Sequence, residues 1–311
     1  MKVTNRNIKH FIDLNLINSI DLKKIIKTAK QLKKSKKTNN KLADKNLMMI
    51  FEKTSTRTRV SFEVAINQLG GHAIVMNRDD MQLGKGENIS DTAKVLSRFV
   101  DFIMIRANLH DSIIEFANNS SIPVINGLSN QSHPCQALAS IMAIEERFGK
   151  ISGKKIMWSG DQNNVLNSFI QASSIFDFEL AIASPAEIDF SHNEIHKAKK
   201  NGASITLNTD PIKAIKDADV ILTDTWFSMG DSALENDALK QKKINLLTPY
   251  QVNKKLMSYA KKSTIFSHCL PVYRGYEATK EVVDSANSII FEEAENRLHI
   301  QKAILIWLNE K

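Results

Sequence analysis

The sequence contains little cysteine, with only Cys135 and Cys269 among its 311 residues. Their separation fits no zinc-ligand spacing, and two cysteines do not make a disulfide framework. Chains without such a framework are typical of reducing compartments. We therefore expect two free thiols, no metal site built on cysteine, and a cytoplasmic location.

Long apolar stretches are also missing. Residues 1–14 mix Lys, Asn, Arg, His and Asp without a continuous apolar core, which argues against a signal peptide. Elsewhere no stretch approaches the ~18 apolar residues of a membrane-spanning helix. The composition, with 42% hydrophobic and 24% charged residues, is typical of a globular protein rather than a disordered one. We therefore expect no membrane partner.

Acidic residues are outnumbered by basic ones, and the formal net charge is +8. Residues 23–45 include ten lysines. Such a run could contact nucleic acid or another anionic surface, or it could form a solvated helix face and loop. No aromatic residue lies between these lysines, although base stacking would need them. The sequence therefore favours a solvated face and no nucleic-acid partner.

Short apolar runs alternate with amphipathic stretches along the chain. Phe62, Ala65, Ile66 and Leu69 have the i, i+3, i+4, i+7 spacing of a helix, whereas the apolar runs are typical of buried strands. This alternation predicts an α/β protein with mostly parallel sheets flanked by helices. The predicted strands are Leu47–Phe51, Ala73–Met76, Phe102–Ile105, Val124–Ile125, Lys155–Trp158, Leu180–Ala183, Val220–Leu222, Thr264–Phe266 and Ser288–Phe291.

A chain of 311 residues suits two domains better than one. Pro134–Phe148 is predicted to be one long helix, after which a new strand begins at Lys155. We therefore predict a first domain over residues 1–148 and a second over residues 149–293. Residues 294–311 are predicted to form a helix that packs back on the first domain.

The segment Phe51-Glu52-Lys53-Thr54-Ser55-Thr56-Arg57-Thr58-Arg59 lies between a predicted strand and a predicted helix. Helix N-termini bind phosphate through unpaired N–H groups, and α/β folds bind ligands at the carboxyl ends of strands. Ser55, Thr56 and Thr58 add hydroxyl donors, and the Arg57 guanidinium can hold phosphate with two hydrogen bonds. Helix capping would explain one hydroxyl, but the whole set favours anion binding. The glycines of a Walker A loop are missing.

Two further groups are candidates for the same site. His133-Pro134-Cys135-Gln136 opens a predicted helix, and Pro134 suits its first turn. His133 and Gln136 can both reach the space above that helix N-terminus. Arg106 ends the predicted strand Phe102–Ile105. A structural histidine and a surface arginine are the alternatives that chemistry alone leaves open.

Three polar segments follow predicted strands in the second half of the chain. Gly160-Asp161-Gln162-Asn163-Asn164-Val165 lacks the G-x-G-x-x-G fingerprint of dinucleotide binding, and its asparagines could simply shape a turn. In Asp224-Thr225-Trp226-Phe227-Ser228-Met229-Gly230, Asp224 could bind an α-ammonium group or cap a loop, and Ser228 could hold an α-carboxylate. Ser267-His268-Cys269-Leu270-Pro271 contains a thiol of a kind that is usually inert when buried.

These segments resemble the aspartate and ornithine carbamoyltransferase superfamily in the same order along nearly the whole chain. Ser55-Thr56-Arg57-Thr58 resembles its carbamoyl-phosphate signature, and His133-Pro134-Cys135-Gln136 resembles its His-Pro-x-Gln element. Asp-x-x-x-Ser-Met-Gly at 224–230 and His-Cys-Leu-Pro at 268–271 are similar to the ornithine-specific members. Gln162 departs from a position that is often glycine in them, and Val272-Tyr273 departs from the small residues expected there.

The resemblance implies transfer of the carbamoyl group of carbamoyl phosphate to the side-chain amine of L-ornithine, giving L-citrulline and phosphate in arginine biosynthesis. It implies Arg57, Arg106, His133 and Cys269 as catalytic residues. The implied ornithine-binding residues are Asn164, Asp224, Ser228 and Met229. The implied carbamoyl-phosphate-binding residues are Ser55, Thr56, Arg57, Thr58, Gln82, Arg106, His133, Pro134, Cys135, Gln136, Cys269, Leu270 and Arg297.

The resemblance also implies an assembly. The superfamily is built on trimers, so a homotrimer or a multiple of trimers is expected, with the active site at a subunit interface. Gln82, in the loop 77–87, would reach the active site of a neighbouring subunit. Within each subunit the active site would lie in the cleft between the two domains. No metal and no organic cofactor is implied.

Three other functions are weighed against this one. The first is a carbamoyltransferase for another amine, such as putrescine, lysine or N-acetylornithine; the loop 224–230 favours ornithine because putrescine has no α-carboxylate to bind. The second is a dinucleotide-binding oxidoreductase, against which the missing glycine fingerprint argues. The third is a nucleic-acid binder acting through residues 23–45, which salt-dependent DNA binding would support.

Overall fold

The computed structural model describes residues 2–4, 8–35, 39–81, 86–188, 191–227 and 236–310. The chain divides into two compact units. Unit 1 comprises Met1–Ala139 and Glu295–Lys311, and unit 2 comprises Ser140–Ala294. Each unit contains one parallel sheet flanked by helices, which confirms the predicted α/β class.

Unit 1 is built on a parallel sheet of four strands in the order β2-β1-β3-β4. The segment at Phe11 lies alongside β4 through a parallel bridge to Ile125. The elements up to the end of the long helix are α1 (Ser19–Lys34), β1 (Asn46–Phe51), α2 (Thr56–Gln68), β2 (His72–Asn77), α3 (Ile89–Leu96), β3 (Phe102–Arg106), α4 (His110–Asn119), β4 (Val124–Leu128) and α5 (Pro134–Phe148).

Unit 2 is built on a parallel sheet of five strands in the order β7-β6-β5-β8-β9. Its elements, and the helix that leads back to unit 1, are β5 (Lys155–Ser159), α6 (Asn164–Phe176), β6 (Glu179–Ala183), α7 (His192–Lys200), β7 (Ile205–Asn208), α8 (Pro211–Ile215), β8 (Val220–Thr223), α9 (Asp237–Leu247), α10 (Lys254–Met257), β9 (Ile265–His268), α11 (Lys280–Val283) and α12 (Ile290–Asn309).

Both sheets have a topological switch point, where successive connections leave in opposite directions. In unit 1 it lies between β1 and β3, and in unit 2 it lies between β5 and β8. Open parallel sheets bind ligands outside the carboxyl ends of the strands at such points. The loops that follow these four strands are therefore the places to look for a site in each unit.

The strand predicted at Ser288–Phe291 is wrong. Ser288 makes a single bridge to Phe266, and the chain then enters α12 at Ile290. Glu292 and Glu293 lie in the first turn of that helix, where negative charge is favourable next to the positive end of the helix dipole. Phe291 is 69% exposed, so the apolar run does not form a buried strand.

Strand β7 was not predicted. It is a four-residue strand at the edge of its sheet, and Leu207 is 54% exposed. A short edge strand that is exposed in this way carries neither a long apolar run nor a clear alternation, so its sequence gives little signal.

Lysines of the segment 23–45 form ion pairs with other parts of unit 1. Lys33 lies 3.3 Å from Glu295, which pairs α1 with α12, and Lys24 lies 2.5 Å from Glu310, the residue that follows α12. Lys45 also forms an ion pair of 2.8 Å with Asp101, just before the neighbouring strands β1 and β3 begin. Among the described residues, no helix is both long enough and apolar enough to cross a membrane.

Candidate active site

The segment 51–59 starts at the last residue of β1, at the switch point of unit 1. Ser55 is the N-cap of α2, and its hydroxyl accepts a hydrogen bond of 3.3 Å from the Thr58 backbone N–H. Capping therefore uses Ser55 alone. Thr56 and Arg57 are exposed on the first turn of the helix, where they are free of the capping role and face solvent.

The Thr58 hydroxyl is the centre of a buried cationic cluster. Arg106 Nη1 donates to it over 3.3 Å and Arg297 Nη2 over 2.7 Å. Thr58 is completely buried, and the two arginines are 8% and 4% exposed. Because both lone pairs of the hydroxyl accept hydrogen bonds, its hydrogen is the part that can donate to a phosphate oxygen. Two desolvated guanidinium groups make this a strongly anion-attracting place.

The position of Arg106 is set by a register shift in the sheet. Ile105 pairs with Asn126 while Arg106 pairs with Leu128, so Gly127 is an extra residue in β4. A Cβ at Gly127 would lie 2.3 Å from Met104 Sδ, so a larger residue here would require the buried Met104 side chain to move. Such a bulge redirects the neighbouring backbone, here at the end of β3 where Arg106 begins its reach toward Thr58.

His133 precedes α5 and is 4% exposed. Burial lowers the pKa of His133 well below 6.5, and the charges of Arg297 and Arg106 lower it further. The imidazole is therefore neutral at physiological pH, and it can donate one hydrogen bond without acting as an acid. Gln136, one turn further along α5, is completely buried.

Cys135 lies in the first turn of α5 behind His133, after Pro134 as the first helical residue. Its thiol donates to the Asn126 carbonyl over 3.6 Å. Burial raises the pKa of Cys135 to about 12. Cys135 is thus a protonated, unreactive thiol, and any contact with a ligand would have to come from its backbone.

The second cluster occupies the switch point of unit 2. Gly160 follows β5 with a φ of +109°, and Thr223 Oγ1, at the end of β8, donates to the Ser159 carbonyl over 2.7 Å. A Cβ at Gly160 would lie 3.2 Å from Trp226 Nε1. The two loops after β5 and β8 therefore meet at Gly160, which supplies both the left-handed backbone and the space.

Asp224 connects three predicted segments. Its Oδ2 accepts from Asn163 Nδ2 over 2.8 Å, and its Oδ1 accepts from Cys269 Sγ over 3.0 Å. Asp224 is 7% exposed. Asn163 is also the N-cap of α6, since its Oδ1 accepts from the backbone N–H groups of Val165 and Leu166. The structure thus holds a carboxylate ready for an ammonium group, with a thiol beside it.

Asn163 was predicted only to shape a turn, and in the structure it also donates a hydrogen bond to Asp224. The signal that could have found it is the N-cap preference for asparagine at the start of α6. Asn164, predicted to bind the amino acid, is the first residue of that helix and is partly exposed.

The contact between the buried residues His268 and Glu277, next to Cys269, was also not predicted from the sequence. Leu270 has a φ of +58°, a conformation that costs an L-residue roughly 1–2 kcal/mol. Its N–H donates to His268 Nδ1 over 2.9 Å, and His268 Nε2 lies 3.3 Å from Glu277 Oε1. Glu277 also accepts from the Tyr273 N–H over 2.6 Å. These bonds hold the residues that precede and follow Cys269. Ser267, two residues before Cys269, donates to Glu293.

Asp224, His268 and Cys269 are also a group that could hold a metal ion, with ligand atoms within 4.8 Å of one another. The Nδ1 atom of His268 already accepts from Leu270, and its Nε2 faces Glu277. The lone pair of Nδ1 is thus used within the protein, which favours a hydrogen-bonded arrangement over a metal centre at that atom.

Three predicted site residues, Gln82, Ser228 and Met229, lie outside the described residues. The others fall into two clusters at the two switch points. Those of unit 1 are Ser55, Thr56, Arg57, Thr58, Arg106, His133, Pro134, Cys135, Gln136 and Arg297, and those of unit 2 are Asn164, Asp224, Cys269 and Leu270.

Two family models match the chain, one in each half. Residues 9–146 match the carbamoyl-phosphate-binding domain of aspartate/ornithine carbamoyltransferases, and residues 152–308 match their aspartate/ornithine-binding domain. The chain belongs to the aspartate/ornithine carbamoyltransferase family. This confirms the resemblance proposed from the sequence motifs.

Relatives within this family are similar over nearly their whole length. The ornithine carbamoyltransferase of Rhodopseudomonas palustris is 50% identical over 309 residues, which cover 98% of both chains. The solved ornithine carbamoyltransferase of Pyrococcus furiosus is 45% identical with a TM-score of 0.89, covering 96% of both chains. The anabolic enzyme of Campylobacter jejuni is 42% identical with a TM-score of 0.89, covering 97% of this chain and 99% of its own.

Proposed function

We propose that this protein transfers the carbamoyl group of carbamoyl phosphate to the side-chain amine of L-ornithine, giving L-citrulline and phosphate. The relatives named above are ornithine carbamoyltransferases. The contact of Cys269 with Asp224 supports ornithine as the acceptor. It brings together the two segments, 224–230 and 268–271, that are similar to ornithine-specific members. Anabolic use, in arginine biosynthesis, is part of this proposal and is supported by the Campylobacter jejuni relative.

Unit 1 would hold carbamoyl phosphate. The hydroxyls of Ser55, Thr56 and Thr58 and the Arg57 guanidinium would bind the phosphate at the N-terminus of α2, where backbone N–H groups point outward. The buried charges of Arg106 and Arg297 add attraction for the dianion. Contacts to the carbamoyl end would come from His133, Gln136 and the backbone of Pro134 and Cys135.

Unit 2 would hold ornithine. The Asp224 carboxylate would bind the α-ammonium group, and Asn164, Ser228 and Met229 would complete the amino-acid site. Cys269 would orient the side-chain amine, and the backbone groups of Cys269 and Leu270 would contact the carbamoyl group.

The chemistry needs a neutral amine. The side-chain amine of ornithine resembles that of lysine, whose unperturbed pKa is ~10.4, and neighbouring cations and burial favour loss of its proton. The amine attacks the carbonyl carbon, and the oxygen gains negative charge that Arg57, Arg106 and His133 stabilise. The C–O bond to phosphate then breaks, and the phosphate leaves with the electron pair and can accept the proton of the amine. His133 acts as a neutral donor throughout, because burial and two arginines hold its pKa low.

The proposal is tested by an assay of carbamoyl transfer with ornithine, putrescine, N-acetylornithine, lysine and aspartate offered separately. We expect a rate with ornithine far above the others. Turnover with another amine alone would retain the carbamoyl-phosphate half and contradict the roles of Asp224 and Ser228. No turnover with any acceptor would contradict the function itself.

An Asp224→Asn variant tests the acceptor site within the same assay. Asparagine keeps the shape of Asp224 but loses its charge, so kcat/KM for ornithine should fall about 100-fold or more, while KM for carbamoyl phosphate changes little. Asp219→Asn is the matched control, because Asp219 lies in the same unit and accepts from the Lys155 backbone. It should lower stability without a selective effect on ornithine.

We also propose a homotrimer, or a multiple of trimers, in which Gln82 reaches the active site of a neighbouring subunit. The superfamily pattern of the loop 77–87 supports this assembly. The cytoplasm is the proposed compartment, since both cysteines are free thiols and free thiols persist in reducing surroundings.

A further inference from the structure

A tight turn between β4 and α5 delivers His133 to the site. It is formed by residues 129–132, and the Ser129 N–H donates to the Ser132 carbonyl over 3.0 Å. The side chain of the same serine closes the turn from inside, because its Oγ accepts from the N–H groups of Gln131 and Ser132, each over 3.2 Å. The conformation of this turn therefore depends on Ser129, which is completely buried.

Ser129 is in turn bonded to a buried histidine from a different element. His110, the first residue of α4, places Nδ1 2.8 Å from Ser129 Oγ. The other ring nitrogen, Nε2, lies 3.2 Å from Asp13 Oδ2. His110 is 4% exposed, and the Asp13 side chain is 15% exposed.

The direction of these bonds follows from Asp13. A carboxylate accepts hydrogen bonds, so the ring hydrogen is placed on Nε2, 3.2 Å from Asp13 Oδ2, and Nδ1 is left to accept from the Ser129 hydroxyl. An Nδ1 that accepts carries no hydrogen, and the imidazole then carries its hydrogen on Nε2. That hydrogen points to Asp13, giving the order Ser129 to His110 to Asp13.

Other bonds tie this arrangement to the same turn. The His110 N–H donates to Asn130 Oδ1 over 2.9 Å. Asn126 Nδ2 donates to Ser132 Oγ over 2.9 Å and to the Ile12 carbonyl over 3.0 Å. Each end of the turn is thus held by side chains whose partners lie far away in sequence, and the next residue along the chain is His133.

We propose that Asp13, His110 and Ser129 are positioning residues for the carbamoyl-binding group His133. They touch no substrate in this proposal and act by fixing the turn 129–132. The inference rests on the proposed function, since it assumes that His133 contacts the carbamoyl end of the ligand. A displacement of such a group by about 1 Å can lower the rate by a large factor. A turn that is held at both ends would prevent that displacement of His133.

The experiment compares two probes that share a phosphate-like group. Phosphonoacetamide, a stable methylene analogue of carbamoyl phosphate, carries the carbamoyl end, and inorganic phosphate does not. Dissociation constants of both are measured by calorimetry on the full chain, so no turnover is required. Ser129→Ala should weaken phosphonoacetamide about tenfold, the size expected for one misplaced hydrogen bond, and leave phosphate within about twofold.

Two substitutions of His110 separate the contact of Nδ1 with Ser129 from the contact of Nε2 with Asp13. His110→Asn places an amide oxygen near the Nδ1 position, where it can accept from Ser129, whereas His110→Gln places its amide near Nε2 and leaves the serine without an acceptor. We expect His110→Gln to behave like Ser129→Ala and His110→Asn to recover most of the affinity. Equal losses in both would contradict a relay through Ser129.

Ser97→Ala is the control for removal of a serine hydroxyl that makes several hydrogen bonds, although Ser97 is partly buried and Ser129 completely buried. Ser97 bonds Ala93, Ser120 and Ser121 in the same unit, so its loss should lower the thermal midpoint without changing either dissociation constant. The proposal is overturned if Ser129→Ala weakens both probes equally, or weakens neither while lowering the thermal midpoint. If wild-type protein binds phosphonoacetamide yet carbamoylates no amine, the proposed function fails while the positioning role is still measured.

Discussion

Arg106 and Arg297 show how single residues can be placed for one purpose. Both are nearly buried, and both donate to the same threonine hydroxyl. Two like charges at such short separation repel each other, and the same pair attracts a phosphate dianion. The proposed affinity for carbamoyl phosphate is therefore decided at the residue scale, and exposed Arg57 adds a guanidinium outside the buried pair.

Arg57 and its neighbour Arg59 make a matched pair for a test at this scale. Arg59 is exposed and lies 3.9 Å from Glu63 on the same helix, so it should contribute little. Arg57→Ala should lower kcat/KM about 100- to 1000-fold, the cost of removing one stabilising donor. Arg59→Ala should change it less than about threefold. Steady-state kinetics with both substrates decides the matter, and equal effects of the two substitutions would contradict the role of Arg57.

The loops after the strands are the elements that make each half of the site. Gly160 follows β5 in a left-handed conformation and lies against Trp226, which belongs to the loop after β8. The ends of two neighbouring strands are thereby fixed against each other. Asp224 lies in that second loop, so its position depends on a glycine from the first.

Gly160→Ala is expected to disturb both backbone and packing. The added Cβ would lie 3.2 Å from Trp226 Nε1 at a φ of +109°, which costs about 1–3 kcal/mol of stability. Gly202→Ala is the control, because Gly202 has a φ of +87° with no neighbour within 4 Å of the added Cβ. Both variants should unfold at lower denaturant concentration, and only Gly160→Ala should raise KM for ornithine. An unchanged KM would show that the two loops are not coupled.

Elements with a strong local pattern were predictable from the sequence. Pro134–Phe148 was predicted as a helix and is one, with the same bounds. The edge strand β7 and the start of α12 were not, since exposure and a single long-range bridge decide them. In the candidate site, the residues at strand ends were proposed from their position after strands and from the family resemblance, and their roles stay predictions. The bonds of Asn163 to Asp224 and of His268 to Glu277 were not predicted, because their partners are distant in sequence.

At the scale of the whole molecule, stability depends on pH through two histidines with lowered pKa values, the buried His133 and the partly buried His10. Burial lowers the pKa of His10 from 6.5 to about 4, and burial with two arginines lowers that of His133 well below 6.5. Below pH 6.5 the unfolded chain binds these protons and the folded chain does not. The stabilising contribution of these histidines is therefore fully present above pH 6.5. It is lost as the pH falls toward their pKa values in the folded chain.

Denaturant unfolding between pH 7 and pH 5 checks this expectation. The free energy of unfolding should fall, with each such histidine contributing up to about 1.4 kcal/mol per pH unit. His10→Asn should flatten the slope, because asparagine does not titrate and can still accept from the Val124 N–H that bonds His10 Nδ1. His72→Asn, at an exposed position, is the control. Identical slopes in wild type and His10→Asn would refute the assignment to His10.

The proposed trimer makes a prediction about mixtures. Gln82→Ala and Arg297→Ala should each inactivate a uniform assembly. When the two variants are mixed and reassembled, about a quarter of the sites should regain activity. Those sites combine an intact Arg297 from one subunit with an intact Gln82 from its neighbour. Sedimentation should show about three times the 35.0 kDa mass of one chain or a multiple of that. A monomer, or mixtures without recovery, would contradict the shared site.

Helix α12 has a further consequence for how the protein is made. Unit 1 takes Arg297 and the apolar contact of Trp307 with Phe11 from residues that follow the whole of unit 2 in the chain. At about 5–20 residues per second of synthesis, the 155 residues from Ser140 to Ala294 delay those contacts by about 8 to 31 s. During that interval the first unit lacks the contact of Trp307 with Phe11 and one of the two arginines at Thr58, so we expect its exposed apolar surface to favour chaperone binding until synthesis is complete.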